Sequence, residues 1–352
     1  MPTIARFSGP AAGLADNGSE RSPQGAFDRV NFVDIDASSE GQRLDNFLVR
    51  ILKGVPKSHI YRIVRAGEVR VNKKRAAVDT RLAEGDLVRI PPIRVARETA
   101  QRREVPGIGE DELPILFEDK DLLIVNKPAG LAAHGGSGVR FGLIERLRAQ
   151  RPAAPFLELA HRLDRDTSGA LIVAKTRRAL VRIHEMQRSG KVGKHYRLLV
   201  DGDWVNERQH VRLPLTKYTL ASGERRVKVD EENGLKAHTI FTVIERFGDV
   251  TLLDAELKTG RTHQIRVHMT SAGLPLLGDP LYRTNASKLP PQAGLAYTFN
   301  RQALHASRLA LTHPVTGEPM EWFVEPPQDM YELMEDLGFG PLDEPVHVFD
   351  EE

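Results

Sequence analysis

Two acids set among arginines stand out in the run His161-Arg162-Leu163-Asp164-Arg165-Asp166-Thr167-Ser168-Gly169. Thr, Ser and Gly after the acids favour a tight turn whose hydroxyls bond nearby backbone. The apolar run Ala170–Ala174 follows, so Asp164 should sit on a rigid loop at the start of a strand. A fixed, ionised carboxylate is a usable nucleophile, and neighbouring cations such as Arg162 and Arg165 favour the ionised form. A structural turn carrying a surface salt bridge would use the same nine residues.

Two further runs could complete such a site. In Leu257–Met269, Thr262 is positioned to cap a helix running to Gly273. Ile265, Met269 and Ala272 form its expected buried stripe. Arg266 then lies near the helix start, where the dipole disfavours a cation. A carboxylate partner would offset that cost, and Asp164 is the candidate, although Arg266 alone reads equally as a surface residue. In Lys194–Val200, Tyr196 opens a strand-like run. Its face could stack on a nucleobase, or it could be a core tyrosine.

The elements that must position these residues are legible as patterns. DLLIVNKP, GALIVAKT, HYRLLVDG, HTIFTVIERF and VTLLDAELK read as strands, and FGLIERLRAQ and RRALVRIHEMQ as helices. Strands follow strands too often for a regular βαβ repeat. The expectation over 113–326 is an α+β domain with a mixed, largely antiparallel sheet.

Ahead of it, residues 31–95 read as a small α/β domain. QRLDNFLVRIL places Leu44, Phe47, Leu48 and Ile51 at helical spacing. SHIYRIVRAG gives a second helix, with Ser58 as N-cap, Ile60, Ile63 and Val64 as stripe and Gly67 as stop. Residues 41–95 hold thirteen Lys/Arg against five Asp/Glu. Arg50, Arg62, Arg65, Arg70, Lys73 and Lys74 can share one face, which points to a polyanion such as nucleic acid, or to a solvated charged face. Residues 1–30 read as a disordered extension and 96–112 as a linker. Residues 327–352, with nine Asp/Glu and no Lys/Arg, read as an acidic solubilising tail with a terminal helix at PQDMYELMEDLG.

The 352 residues suggest about two domains. With no cysteine, disulfides, thiolate zinc sites and cysteine nucleophiles are excluded. No apolar run approaches the roughly 18–20 residues that span a bilayer, and the N-terminus lacks a secretory core, so a cytoplasmic location is the default expectation; a monomer is expected. There is no Walker A loop and no Rossmann glycine fingerprint. His263 and His268 are five apart, not at the spacing of paired metal ligands on one helix face.

Residues 42–95 resemble the S4 RNA-binding domain, through Arg43-Leu44-Asp45, Ser58, Ile63, Gly67-Glu68-Val69, Val71-Asn72 and Gly85-Asp86. Lys73 departs from it, standing where many members have glycine. The larger match runs through Asn126–Gly130, His134–Gly138, His161–Gly169, Tyr196, Thr259–Met269, Gly278–Tyr282 and Leu304–Ala306. Together these resemble the RluA-type pseudouridine synthases, and within them the RluC branch, over about 32–325. The resemblance implies isomerisation of uridines to pseudouridine in 23S ribosomal RNA, with base flipping and no metal or other cofactor. It implies Asp164 as the catalytic aspartate, Tyr196 as the residue stacking on the flipped base, and Arg266 as partner of the aspartate. It implies that Arg165 helps hold the site open, and that Arg162 and Arg165 contact RNA.

Two rivals remain at this point. Asp164-Arg165-Asp166 is similar to the Asp-x-Asp of magnesium-dependent phosphatases, but Ser168 stands where that motif has Thr or Val. A non-catalytic RNA-binding or ribosome-assembly factor would need only the S4 module.

Overall fold

The computed structural model describes residues 6–7, 29–36, 39–52, 55–93, 113–135, 141–283 and 298–340. The chain divides into two compact units, Met1–Ile108 and Gly109–Glu352.

The first unit contains β1 (Arg6–Phe7), β2 (Asn31–Asp34), α1 (Leu44–Ile51), α2 (Lys57–Arg65), β3 (Arg70–Val71), β4 (Lys74–Arg75) and β5 (Leu87–Ile90). Its sheet order is β1-β2-β5-β3-β4. Both helices are amphipathic: Leu44, Phe47 and Leu48 meet Ile60, Ile63 and Val64 over Val88 and Ile90. Each such side chain stabilises by roughly 1.5–3 kcal/mol. Buried Asp45 ties the helices together, accepting from the Arg43 guanidinium and from the Tyr61 hydroxyl at 3.0 Å.

Two expectations need correction here. Ser58 is not the N-cap, because α2 already begins at Lys57 with Pro56 before it at φ −58°. Pro56, whose φ is fixed by its ring, takes the N-cap place, so the helix starts two residues earlier than a Ser58 cap would give. Residues 1–30 are not wholly without structure: Arg6–Phe7 pair in parallel with Phe32–Val33. Residues 1–5, 8–28 and the linker at 96–112 lie outside the described residues. The departure at Lys73 also has a structural counterpart. Asn72 and Lys73, at φ 50° and 69°, form the two-residue turn between β3 and β4. Both central positions need the left-handed region, which costs a lysine roughly 1–2 kcal/mol.

The second unit contains β6 (Ile115–Glu118), β7 (Leu122–Lys127), α3 (Leu143–Gln150), β8 (Glu158–Leu159), β9 (Ser168–Ala174), α4 (Arg177–Arg188) and β10 (Gly193–Asp201). It continues with β11 (Arg208–Val211), β12 (Leu215–Thr219), β13 (Arg225–Val229), β14 (Thr239–Phe247), β15 (Val250–Leu257) and α5 (Gln264–Ser271). β16 (Leu304–Thr312), β17 (Pro319–Phe323) and α6 (Gln328–Asp336) close it. A ten-stranded sheet runs β11-β14-β15-β10-β16-β9-β7-β6, with β17 on β16 and β8 on β9, while β12 and β13 form a separate hairpin. Among the described pairs of this sheet, only β9 and β16 are parallel. The domain is thus α+β with a mixed, largely antiparallel sheet.

Strand alternation divides the core between two faces. Leu123, Val125, Leu171, Val173, Leu198 and Val200 meet α3 and α5. Leu122, Ile124, Ala170 and Ile172 meet α4 on the other face. Leu199, Val250 and Leu252 meet Leu333, Met334 and Phe339. That last contact corrects the acidic-tail reading. The stretch 328–339 is packed against the sheet, because Met330, Leu333 and Met334 recur at helical spacing and are buried. Residues 341–352 lie outside the described residues.

Candidate active site

The loop between β8 and β9 carries Asp164, and its backbone is tied down from several sides. Lys127, fully buried at the end of β7, donates to the carbonyls of Pro128, Leu131 and Arg165 at 2.8, 2.8 and 2.9 Å. Arg301 Nη1 donates to the Asp166 carbonyl at 3.2 Å, and Gln302 donates to Thr167 Oγ1 at 3.2 Å. Where the loop enters β9, Gly169 has φ 110°, and a Cβ there would lie 2.2 Å from the Ala306 carbonyl oxygen. Only glycine lets β9 approach β16 this closely beside the loop. Ser168 Oγ meets His305 Nδ1 at 2.9 Å, and His305 Nε2 faces the Val324 carbonyl at 2.9 Å. Since that carbonyl can only accept, the imidazole carries its proton on Nε2 and the serine hydroxyl donates to Nδ1. Burial pushes His305 down to about 4, in keeping with a neutral ring.

Arg266 comes from α5. This helix starts at Gln264, not after a Thr262 cap as the sequence suggested; His263 precedes it at φ 54°. The reason is Gln264. Its Oε1 accepts from Thr259 Oγ1 and the Arg261 N–H, while its Nε2 donates to the His238 carbonyl. Those bonds hold the 259–264 loop in place of an N-cap side chain.

The Arg266 guanidinium bridges two carboxylates. Nη1 donates to Asp164 Oδ2 at 3.0 Å. Nε and Nη2 donate to Asp279 Oδ2 and Oδ1, both at 2.7 Å. Asp279 also accepts the Leu281 and Tyr282 N–H groups, so it fixes its own turn as well as the arginine. Burial opposes the Arg266 charge, but the bond to Asp279 and the charges of Asp279 and Asp164 hold it above its ordinary value. The Tyr282 ring lies 5.1 Å from the same guanidinium.

Tyr196, 6 % exposed, lies where the register of β10 against β16 shifts between His195 and Arg197. Such an irregularity re-aims a side chain. Burial, with the charge of Asp164 behind it, pushes its hydroxyl well above the ordinary tyrosine range.

Two cavities, of about 370 and 600 Å³, share Arg162, Leu163, Asp164, His263 and Arg266 in their walls. Tyr196 lines the larger and Arg165 the smaller. The structure thus brings Asp164, Arg266 and Tyr196 together from three separate elements. Arg162 is exposed at the rim. Arg165 turns to Asp166, at 3.1 Å, and its side chain is 62 % exposed. In the first unit Arg50, Arg62, Arg65, Arg70, Lys73 and Lys74 are all exposed. Arg50 also donates to Ser39 Oγ, and Arg70 to the carbonyls of Gly67 and Lys73.

Sequence reasoning gave no role to Asp279, His263, Tyr282 or Lys127. All four lie in the matching runs Asn126–Gly130, Thr259–Met269 and Gly278–Tyr282, which were the available signal.

The ten-stranded mixed sheet carries the Asp164–Arg266 pair beside a cavity that Tyr196 lines. Residues 121–271 match the family model for RNA pseudouridylate synthase, and residues 42–88 match the S4 domain. The ribosomal large subunit pseudouridine synthase C of Yersinia pestis is 50 % identical over 85 % of this chain and 92 % of its own length. The protein of the same name from Escherichia coli K12 is 50 % identical over 85 % of this chain and 93 % of its own. A solved human structure, RNA Pseudouridylate Synthase Domain Containing 4, has a TM-score of 0.52 at 25 % identity, covering 64 % of this chain and 92 % of that one. The chain belongs to the RNA pseudouridylate synthase family, with an S4 domain in its N-terminal unit.

Proposed function

We propose that this enzyme converts specific uridines of large-subunit (23S) ribosomal RNA to pseudouridine, with Asp164 as the catalytic nucleophile. The observation that carries the assignment is the 3.0 Å contact between Arg266 Nη1 and Asp164 Oδ2 in the wall of both cavities. The RNA class rests on the names of the relatives at 50 % identity.

The chemistry follows from the groups at hand. The target uridine leaves its stack, which costs a few kcal/mol, and its base enters beside Tyr196. Asp164 promotes cleavage of the N-glycosidic bond. The detached uracil turns and bonds through carbon 5 to the same sugar carbon; the proton on carbon 5 then leaves, and N1, released from the sugar, takes up a proton. Arg266 keeps the carboxylate ionised and aimed; Tyr196 offers the ring face for stacking. Bonds broken and formed balance within one nucleotide, so these steps call on no metal or cofactor. The exposed cations of the S4 unit supply phosphate contacts, which give affinity without sequence information. We assign the protein to the cytoplasm, where ribosomal RNA is modified in bacteria, and propose that it acts as a monomer. No helix of the described residues is long and apolar enough to cross a membrane.

The test is a pseudouridine map of large-subunit ribosomal RNA by carbodiimide treatment and primer extension. A strain deleted for this protein should lose discrete stops that the cloned protein restores. An unchanged map contradicts the substrate assignment.

A further inference from the structure

His263 stands against Asp164 in a conformation its neighbours impose. Its φ of 54° lies in the left-handed region, which a non-glycine residue keeps only where its surroundings over-determine it. The imidazole lines both cavities. Nε2 faces Asp164 Oδ1 at 3.8 Å, the oxygen that Arg266 Nη1 does not hold. Nδ1 meets the Tyr282 hydroxyl at 2.7 Å.

Hydrogen-bond accounting assigns the protons. The Val227 N–H on β13 donates to the Tyr282 oxygen at 3.0 Å. Among the described residues, the remaining partner of that hydroxyl is His263 Nδ1, so its proton goes there. Nδ1 is then an acceptor, and a neutral imidazole must carry its hydrogen on Nε2. The other end of the ring gives the same answer independently. A bare Nε2 lone pair facing a carboxylate oxygen is repulsive, whereas Nε2–H facing it is attractive. Burial pushes the imidazole below its ordinary value, against the charges of Asp164 and Asp279, in keeping with a neutral ring.

We propose that His263 is a positioning residue for the reaction: Tyr282, itself oriented by the Val227 N–H, fixes the imidazole so that Nε2–H aims at Asp164 Oδ1. Two donors then frame the carboxylate, one per oxygen. Arg266 holds Oδ2 closely, and His263 stands off Oδ1, leaving that oxygen free to meet substrate while limiting rotation of the group. The chain also joins Asp164 to the β12–β13 hairpin, where Arg226 donates to the Leu281 carbonyl beside Tyr282. The inference rests on the reading of Asp164 as the reacting carboxylate.

The test is tritium release from RNA labelled at carbon 5 of uridine, with kcat and KM measured separately. His263→Leu should lose severalfold in kcat, less than a full charge-assisted hydrogen bond would give because the 3.8 Å contact is longer than one, with KM for RNA nearly unchanged. His263→Gln, whose amide N–H can stand at the Nε2 position, should restore most of that loss. Tyr282→Phe keeps the ring over Arg266 and removes only the hydroxyl, so it should lower kcat severalfold and serves if His263→Leu does not fold. Equal loss in the Gln and Leu variants, or wild-type kcat in His263→Leu or Tyr282→Phe, overturns the proposal. Asp164→Asn in the same assay separates the two claims. If it turns over, the reading of Asp164 fails; if it is dead while His263→Leu is fully active, only the role of His263 fails.

Discussion

Asp329 on α6 holds the Arg301 guanidinium through both carboxylate oxygens, at 2.6 and 2.8 Å, and Arg301 passes that anchorage to the Asp166 carbonyl. The C-terminal helix is therefore connected, through one buried arginine, to the backbone two residues beyond Asp164.

Removing Asp329 leaves most of a buried guanidinium without its partner. Asp329→Ala should cost about 1–3 kcal/mol of stability, toward the lower end because Asp329 is half exposed, and should lower turnover. Burial opposes ionisation of Asp329, yet the bond to Arg301 and its charge hold the carboxyl below its ordinary value. Its contribution is thus complete above the unfolded value near 4 and is lost as pH falls through the folded one. Urea midpoints of wild type and variant should converge in acid. A constant difference down to pH 2 contradicts this.

The Arg266–Asp279 pair is buried on both sides, with side-chain exposures of 4 % and 0 %. Breaking it leaves an uncompensated charge, so Asp279→Ala should destabilise by roughly 3–5 kcal/mol. It should also abolish turnover by freeing Arg266 from its aim at Asp164. Arg266→Lys cannot reproduce the fork of donors and should be nearly as inactive. Thermal unfolding and tritium release check both.

Lys127 is a buried ammonium with three carbonyl acceptors and, among the described residues, no contacting carboxylate. Burial pushes it down to about 7, against the pull of Asp166 and Asp164. Between about 7 and 10.5 the unfolded chain holds a proton that the folded chain has released. Wild-type stability should therefore rise with pH across that window relative to Lys127→Met. The variant should be less stable at neutral pH, since the carbonyls of Pro128, Leu131 and Arg165 lose their donor. Parallel stability curves contradict the assignment.

In the S4 unit, Arg62, Arg65 and Lys74 are exposed on an otherwise well-buried scaffold. Replacing all three with alanine should weaken RNA binding and flatten its log–log salt dependence by about 0.7–0.9 for each phosphate no longer neutralised. Turnover at saturating RNA should persist. An unchanged salt slope would remove these residues from the interface.

Beside the site β9 was legible as a continuous apolar run, buried along its whole length; in the first unit α1 and α2 were legible from their apolar stripes. Asp164, Tyr196 and Arg266 were legible through the motif order they share with a known family. Asp279 was not given a role, because nothing local says that its carboxylate faces an arginine thirteen residues earlier. His263 was weighed only as a metal ligand, since its partners, Asp164 and Tyr282, are set by folding. The start of α5 was misplaced because Thr262 is a good cap by type, while the bonds that place the helix come from the Gln264 side chain. Helix 328–336 was foreseen, but the acidic composition hid that Met330, Leu333 and Met334 bury it.

The central claim is that Asp164 does the chemistry, and single-turnover tritium release from 5-labelled uridine RNA tests it most directly. Wild type should release tritium. Asp164→Ala should bind the same RNA and release none above background. Release by Asp164→Ala at a rate near wild type would contradict the account.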